Sequence, residues 1–373
     1  MKTIKDIQFT LGLKVLMRAD FNVPIINGIV ADDYRIRMTI PTIEYLLNKE
    51  ATVILISHIE SNNGDNLSLE PVANHLNKLG VKVSFIKDYR NAHEMIEAEN
   101  QGCFLLENLR FFEGEKKNDS KFAKELASLG DIYVNDAFSV CHREHASIVG
   151  VPKLSDSYAG LQLEKEIRHL SNAFNPTHPF LFILGGAKFE TKIPLLEKFM
   201  NVADTVFVGG ALASDFFKEK GYEVGQSRVS EGNFNLSQYA NNSKLMIPVD
   251  ITTRNKEIKN PESLSKEDKI TDCGPKTLEI LKEKISQAKL ILWNGPLGVY
   301  EDGFKENTLE LAKMIAEATI NNGAQSIIGG GDTLAAVAEL GIEDKFTFVS
   351  TGGGAMLDFL AKGTLPGIEA LNN

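Results

Sequence analysis

The feature that most constrains this chain is a recurring unit, a short apolar run without polar alternation that is cut off by glycines or by charged and amide residues. Phe180-Leu-Phe-Ile-Leu184 runs into Gly185-Gly186 and then Ala187-Lys-Phe-Glu-Thr-Lys192. A strand without alternation is buried on both faces, as in a parallel sheet. Gly185 and Gly186 let the backbone turn sharply and present N–H groups at the helix start expected after them. A helix from Ala187 onward places Lys188 and Lys192 one turn apart on one face, where like charges cost roughly a few tenths of a kcal/mol. An anion held between them relieves that cost.

The same unit repeats through the first half. Val15-Leu-Met17 runs into Arg18-Ala-Asp-Phe-Asn-Val-Pro24, Ala51-Thr-Val-Ile-Leu-Ile56 into Ser57-His58, and Cys103-Phe-Leu-Leu106 into Glu107-Asn-Leu-Arg110. Asp131-Ile-Tyr-Val134 ends in Asn135-Asp136, shortly before Cys141-His-Arg-Glu-His145. Helical periodicity lies between these runs, as in Lys121 to Leu129, where Phe122, Leu126 and Leu129 share a face and Gly130 is the expected C-cap. Strand alternating with helix predicts parallel sheets, whose ligands bind at the carboxyl ends of the strands. Arg18, Asp20, Asn22, Arg35, His58, Arg110, His142 and Arg143 are thereby gathered into one basic pocket. Arginine with histidine suits a phosphate, and arginine with asparagine and aspartate suits a carboxylate and a hydroxyl.

A chain of 373 residues exceeds one ordinary core, so two domains are expected. Leu161 to Leu170 reads as a helix, and Asn175-Pro-Thr-His-Pro179 breaks the chain before the second half, so the boundary falls at about residue 170. The second half repeats the theme with glycines. Thr205-Val-Phe-Val208 runs into Gly209-Gly210, Lys289-Leu-Ile-Leu292 into Trp293-Asn-Gly-Pro-Leu-Gly-Val-Tyr-Glu301, and Ser326-Ile-Ile328 into Gly329-Gly-Gly-Asp-Thr333. Phe346-Thr-Phe-Val349 runs into Ser350-Thr-Gly-Gly-Gly354. Such turns bring backbone N–H groups and positive helix ends close to phosphates. There is no Gly-x-x-x-x-Gly-Lys-Ser/Thr, and no Gly-x-Gly-x-x-Gly follows the first strand, so a nucleotide site here is of another type. Glu257 to Asp272 is polar and reads as an exposed excursion without function.

The formal net charge of −10 argues against nucleic acid and anionic membranes and leaves a local basic cluster for a small anion. Cys103, Cys141 and Cys273 match no zinc spacing or disulfide framework, which fits a reducing cytosol. Met1-Lys-Thr-Ile-Lys-Asp6 lacks the apolar core of a signal peptide, and no apolar run approaches the roughly 18 residues that span a bilayer. A cytoplasmic, soluble protein is expected.

Over essentially its whole length the chain resembles the phosphoglycerate kinases. The motifs are Arg18-Ala-Asp-Phe-Asn-Val-Pro24, Glu107-Asn-Leu-Arg-Phe111, Asn135-Asp-Ala-Phe138 with His142-Arg143, Gly185-Gly-Ala-Lys188 with Lys192, Ile247-Pro-Val-Asp250 and Asp272-Cys-Gly-Pro275. Trp293 to Glu301, Gly329 to Thr333 and Ser350 to Gly354 continue them in the family's order. The resemblance implies two Rossmann-like α/β domains joined by a hinge. Residues 1–170 would bind phosphoglycerate, 171–354 would bind nucleotide, and a tail from about 355 to 373 would pack back on the first. It implies reversible phosphoryl transfer between 1,3-bisphosphoglycerate with ADP and 3-phosphoglycerate with ATP, Mg²⁺ accompanying the nucleotide, in a monomer.

By similarity, Asp20, Asn22 and Arg35 hold the carboxyl and hydroxyl end of phosphoglycerate. His58, Arg110 and Arg143 hold the far phosphate, with Arg18 and His142 beside them. Lys188 meets the phosphoryl group in flight and Lys192 the terminal nucleotide phosphate. Gly186, Gly209 and Gly210 wall the adenine, Asn294 and Pro296 follow the phosphates, and Glu301 reaches the ribose. Gly331 and Thr333 contact the nucleotide phosphates, Asp332 ligates Mg²⁺, and Gly353 opens a helix whose N-terminus faces the reaction centre. One departure stands out. After Ser57-His58 the family continues Gly-Arg-Pro, whereas this chain has Ile59-Glu-Ser-Asn-Asn-Gly-Asp65, with Ser61 in the arginine's place. Weaker binding of the far phosphate is expected. The competing readings are a nucleotide-binding scaffold, which would have lost charges such as Arg35, Lys188, Lys192 and Asp332, and a kinase for another small acid.

Overall fold

A computed structural model describes residues 1–61, 67–99, 101–187, 189–232 and 234–372. It divides into two compact units, Met1–Arg168 with Thr364–Asn373, and His169–Gly363. The division falls inside helix Leu161–Ser171. Helix Gly354–Lys362 stays with the second unit, and the segment that returns to the first starts at Thr364. There the backbone N–H of Gly367 donates to the carbonyl of Cys141 at 2.9 Å.

Among the described residues each unit holds one six-stranded parallel sheet. In the first unit the order is Ser84–Ile86, Cys103–Leu106, Thr52–Ile56, Lys14–Arg18, Ile132–Asn135, Asp156–Ala159. In the second it is Leu245–Met246, Thr205–Val208, Phe180–Leu184, Leu290–Asn294, Gln325–Gly329, Phe348–Val349. Counted in chain order, the second sheet reads 3-2-1-4-5-6, the order of dinucleotide-binding folds, with its switch point between Phe180–Leu184 and Leu290–Asn294. All five residues of Phe180–Leu184 are buried, because helices such as Ile193–Val202 and Glu306–Asn322 cover the sheet. Each fully buried large apolar side chain contributes about 1.5–3 kcal/mol, so the unalternating runs are the main stabilising element of both sheets.

Three local readings of the sequence are corrected. The helix expected from Ala187 begins only at Ile193, after a 3-10 turn over Phe189–Thr191; Pro194, pre-shaped for a first helical turn, sets the start, and Lys192 is its N-cap. Lys188 lies outside the described residues. Gly130 is not a C-cap. The helix Ser120–Ala127 closes on Ser128, and a Cβ on Gly130 would lie 2.8 Å from the Leu16 backbone nitrogen and 3.0 Å from the Ile132 carbonyl, so glycine is needed there for close approach to the central strand. The polar segment from Glu257 to Asp272 is not an isolated excursion. Its strands Ile258–Lys259 and Ile270–Cys273 flank Ile251–Thr253 in an antiparallel sheet.

Gly130→Ala is expected to lower the unfolding free energy by about 1–3 kcal/mol, the usual cost of overpacking. Urea denaturation followed by circular dichroism checks it, and an unchanged midpoint contradicts the close-packing role.

Candidate active site

In the first unit the polar residues beyond the strands interlock. Arg18 ends the central strand with its guanidinium buried; Nη1 donates to Ser57 Oγ at 3.3 Å, Nε to Ser147 Oγ at 3.1 Å, and Nη2 lies 2.9 Å from His58 Nδ1. A guanidinium only donates, so His58 Nδ1 accepts and the ring proton sits on Nε2. That Nε2 is buried and has no hydrogen-bond partner among the described residues. Burial, aided by Arg18, Arg110 and Arg143, pushes the His58 pKa well below the ordinary imidazole value. His58 is therefore a neutral donor, not a cation.

Beside it, Asp20 is 4% exposed, and neither carboxylate oxygen has a hydrogen-bond partner among the described residues. Arg35 Nη1 is 3.6 Å from Asp20 Oδ1 and donates to the Asn22 carbonyl at 3.2 Å. Asn22 Oδ1 accepts the Glu60 backbone N–H at 3.0 Å, and Glu60 Oε1 pairs with Arg110 Nη1 at 3.3 Å and with Lys116 at 3.7 Å. Arg143 completes a cationic field around His145, whose pKa burial and then Arg110 push down to about 3, so that its ring is neutral. Asn108 ties the loops together, its Nδ2 donating to the carbonyls of Ile59 and Leu67 at 2.7 Å and its Oδ1 accepting the Arg110 backbone N–H at 2.9 Å. Asp136 caps helix Leu161–Ser171, accepting the N–H groups of Gln162 and Leu163.

In the second unit the two strands at the switch point touch through glycines. The N–H of Gly185 donates to Asn294 O at 2.8 Å and that of Gly186 to Pro296 O at 2.9 Å. A Cβ on Gly185 would lie 2.2 Å from the Pro296 carbonyl, so only glycine fits. Beyond this seam is a cavity of about 230 Å³ walled by Gly186, Ala187, Gly210, Pro296, Leu297, Glu301 and Asp332, with Lys269 to Cys273 along another side. Lys192 is buried, its ammonium donating to the Gly185 carbonyl beneath that wall. Asp332 is exposed at the start of helix Gly331–Leu340, and among the described residues it forms no helix cap or ion pair. Partial desolvation and then the Glu301 carboxylate push the Asp332 carboxyl up, against the pull of Lys192.

Of the residues expected at the first site, Arg18, Asp20, Asn22, Arg35, His58, Arg110 and Arg143 are joined by contacts or by mutual electrostatic coupling, and His142 lies next to Arg143 in the chain. Arg18 faces inward, onto His58. Glu60, in the segment that departs from the family, pairs with Arg110; Asp65 lies outside the described residues. At the second site Gly186, Gly210, Pro296, Glu301 and Asp332 line the cavity, whereas Gly209 is buried behind it, against Phe207 and Leu297. Asn294 and Thr333 are turned to the protein. Asn294 donates to the Gly329 carbonyl at 2.9 Å, and Thr333 Oγ1 accepts the Gly295 N–H at 2.9 Å. Gly353, with φ +53°, is the N-cap of Gly354–Lys362. Glu115 and Lys269 to Thr271 were not anticipated; Asn108, His145, Asp272 and Cys273 stood in the motifs or runs named above and Glu60 in the departing segment, but none of them had been given a role in the site.

A cluster of arginines around a neutral imidazole on one α/β unit, and on the other a glycine-walled cavity beside a lysine and a carboxylate without an ion pair among the described residues, fit a two-domain α/β phosphotransferase. The family model for phosphoglycerate kinase matches residues 4–363, and the chain belongs to that family. It is 43% identical over 395 aligned positions to the phosphoglycerate kinase of Dictyoglomus turgidum, with 100% of this chain and 99% of the relative covered. To that of Thermosipho africanus it is 42% identical, covering 100% and 98%. Among solved structures it resembles phosphoglycerate kinase from Pyrococcus horikoshii OT3, with a TM-score of 0.87, 32% identity and 100% and 98% of the two chains covered. For the phosphoglycerate kinase of Coxiella burnetii the values are 0.84, 35%, 99% and 98%.

Because Glu60 occupies Arg110, an anion entering there competes with a carboxylate already in place. Glu60→Gln is expected to lower the KM for 3-phosphoglycerate about two- to five-fold with little change in kcat, the scale of one partly exposed ion pair. A KM that stays put or rises shows that Glu60 does not contest the guanidinium.

Proposed function

We propose that the first unit takes phosphoglycerate and the second the magnesium nucleotide in the family's glycolytic reaction, phosphoryl transfer between 1,3-bisphosphoglycerate with ADP and 3-phosphoglycerate with ATP. The observation that carries this reading is the pair of unmet buried groups in the first unit, the Asp20 carboxylate and the His58 Nε2–H, within a field of arginines. Asp20 needs a donor such as the substrate hydroxyl, and His58 needs an acceptor such as a phosphate oxygen. Arg35, beside Asp20, then meets the substrate carboxyl, and Arg110 and Arg143 the far phosphate. A carboxylate attacking phosphorus is already charged, so no general base is required; the protein positions the groups and neutralises charge on the one transferred.

On the second unit that neutralisation falls to Lys192, to the N-terminus of helix Gly354–Lys362 and, by the resemblance alone, to Lys188. Asp332 fits Mg²⁺, which takes one or two carboxylates and completes its shell with water and nucleotide phosphates. Among the described residues no cluster of three His, Cys, Asp or Glu side chains could hold a metal, so the nucleotide would supply most of the ligands. Bound there, Mg²⁺ would screen the phosphate oxygens and draw electron density from the phosphorus. Transfer requires the two bound substrates to meet with water excluded, which we assign to hinge closure. Thr333 and Asn294 would act through the backbone they hold rather than on the phosphates. We further propose a cytoplasmic monomer; no helix among the described residues is long and apolar enough to cross a membrane.

A coupled assay with ATP and a panel of small acids tests the reading. Turnover with 3-phosphoglycerate well above that with unphosphorylated or differently phosphorylated acids is expected, and a better alternative substrate overturns it. In the same assay Asp332→Ala should raise the Mg²⁺ concentration giving half-maximal rate, because its carboxylate has no structural partner to support. A metal dependence identical to the parent's would remove Asp332 from the metal site.

A further inference from the structure

The guanidinium that fixes His58 is itself held by a chain of buried groups leading to Glu115, which the reaction described above leaves unused. Glu115 is fully buried, its Oε2 accepting the Ser147 backbone N–H at 2.9 Å and its Oε1 the Ser147 hydroxyl at 2.6 Å. The Ser147 carbonyl in turn accepts the hydroxyl of buried Tyr133 at 2.6 Å. With its proton committed to Glu115, Ser147 Oγ has lone pairs left, and one of them accepts Arg18 Nε–H at 3.1 Å. Arg18 Nη2 then donates to His58 Nδ1 at 2.9 Å. Every hydrogen has one direction available to it. A carboxylate cannot donate and a guanidinium cannot accept, so the order is fixed from Glu115 to the imidazole.

We propose that Glu115 and Ser147 are positioning residues for His58, a buried relay that orients Arg18 and so locks the imidazole in the tautomer that presents Nε2–H to the far phosphate of the substrate. The last step rests on the assignment of that phosphate to His58; the relay itself does not. Three consequences follow from the geometry. Glu115 balances the buried charge of Arg18 without touching it, through a hydroxyl. The site gains a donor whose own charge does not depend on pH near neutrality, since burial and the surrounding arginines keep the ring unprotonated. The phosphate end is also preorganised before substrate arrives, because each group that could rotate is held by a partner farther inside.

The test is carried out on the full-length chain with Ser147→Ala, which removes one hydroxyl, and Glu115→Gln, which reverses the polarity of the first link. Long-range ¹H–¹⁵N spectra of the ligand-free protein read the His58 tautomer directly. The parent is expected to show only the Nε2–H form, and each variant a mixture containing Nδ1–H. KM for 3-phosphoglycerate is expected to rise about two- to ten-fold in Ser147→Ala with kcat nearly constant, the scale of one neutral hydrogen bond. A pure Nε2–H spectrum in Ser147→Ala overturns the relay, whatever Glu115→Gln does to folding. A changed tautomer with an unmoved KM upholds the relay and instead removes the phosphate from His58.

Discussion

Parallel pairing puts the carboxyl end of every strand in a sheet on the same edge, and nearly everything distinctive about this chain follows from that constraint. The strands contribute burial. What they deliver to the edge is whatever the sequence places just beyond them. In the first unit this is Arg18, Ser57, His58, Asn108 and Arg110, whose polar groups tie the loops together, and among the described residues the Asp20 carboxylate oxygens and His58 Nε2 are buried there without a hydrogen-bond partner. In the second it is glycine, which lets the strands at the switch point approach until the N–H of Gly185 reaches Asn294 O and opens a cavity above the seam. One edge is built of side chains and the other of backbone. That difference matches a small charged acid on one side and a nucleotide on the other.

The first edge treats charge in a way its composition conceals. Several cations converge there, yet His58 and His145 are neutral, because burial and neighbouring arginines disfavour further positive charge. Glu60 and Glu115 then divide the anionic work. Glu115 is buried behind Arg18 and cannot leave, whereas Glu60 faces Arg110 from the rim and is replaceable by a better anion. Glu60 compensates the guanidinium of Arg110, as Asp20 does that of Arg35.

Much of this was legible in the sequence. The uninterrupted runs Thr52–Ile56, Phe180–Leu184 and Leu290–Asn294 are central strands because only a doubly covered strand has no polar face. Ser84–Ile86, Asp156–Ala159 and Leu245–Met246 were missed, since they are short or polar at the sheet margins and owe their form to a neighbour. The basic pocket followed from the rule that ligands gather beyond the strands. Its inner layer did not, because Glu115 and Ser147 sit in helical segments of four and five residues and Asn108 caps a short turn, all too short for periodicity to signal their burial. For the same reason Asn294 and Thr333, which follow the right strands, gave no sign that they turn toward the protein.

The central claim is that the two substrates have separate addresses, phosphoglycerate at the side-chain edge of the first unit and nucleotide at the glycine edge of the second. Hydrogen–deuterium exchange measured with each ligand alone tests it most directly. With 3-phosphoglycerate, slowed exchange is expected in 57–61, 107–111 and 142–147 and not in the glycine turns. With MgADP it is expected in 185–187, 209–211 and 329–333 and not in the loops around His58. Protection of the glycine turns by 3-phosphoglycerate alone, or of the His58 and Arg110 loops by MgADP alone, would contradict the account.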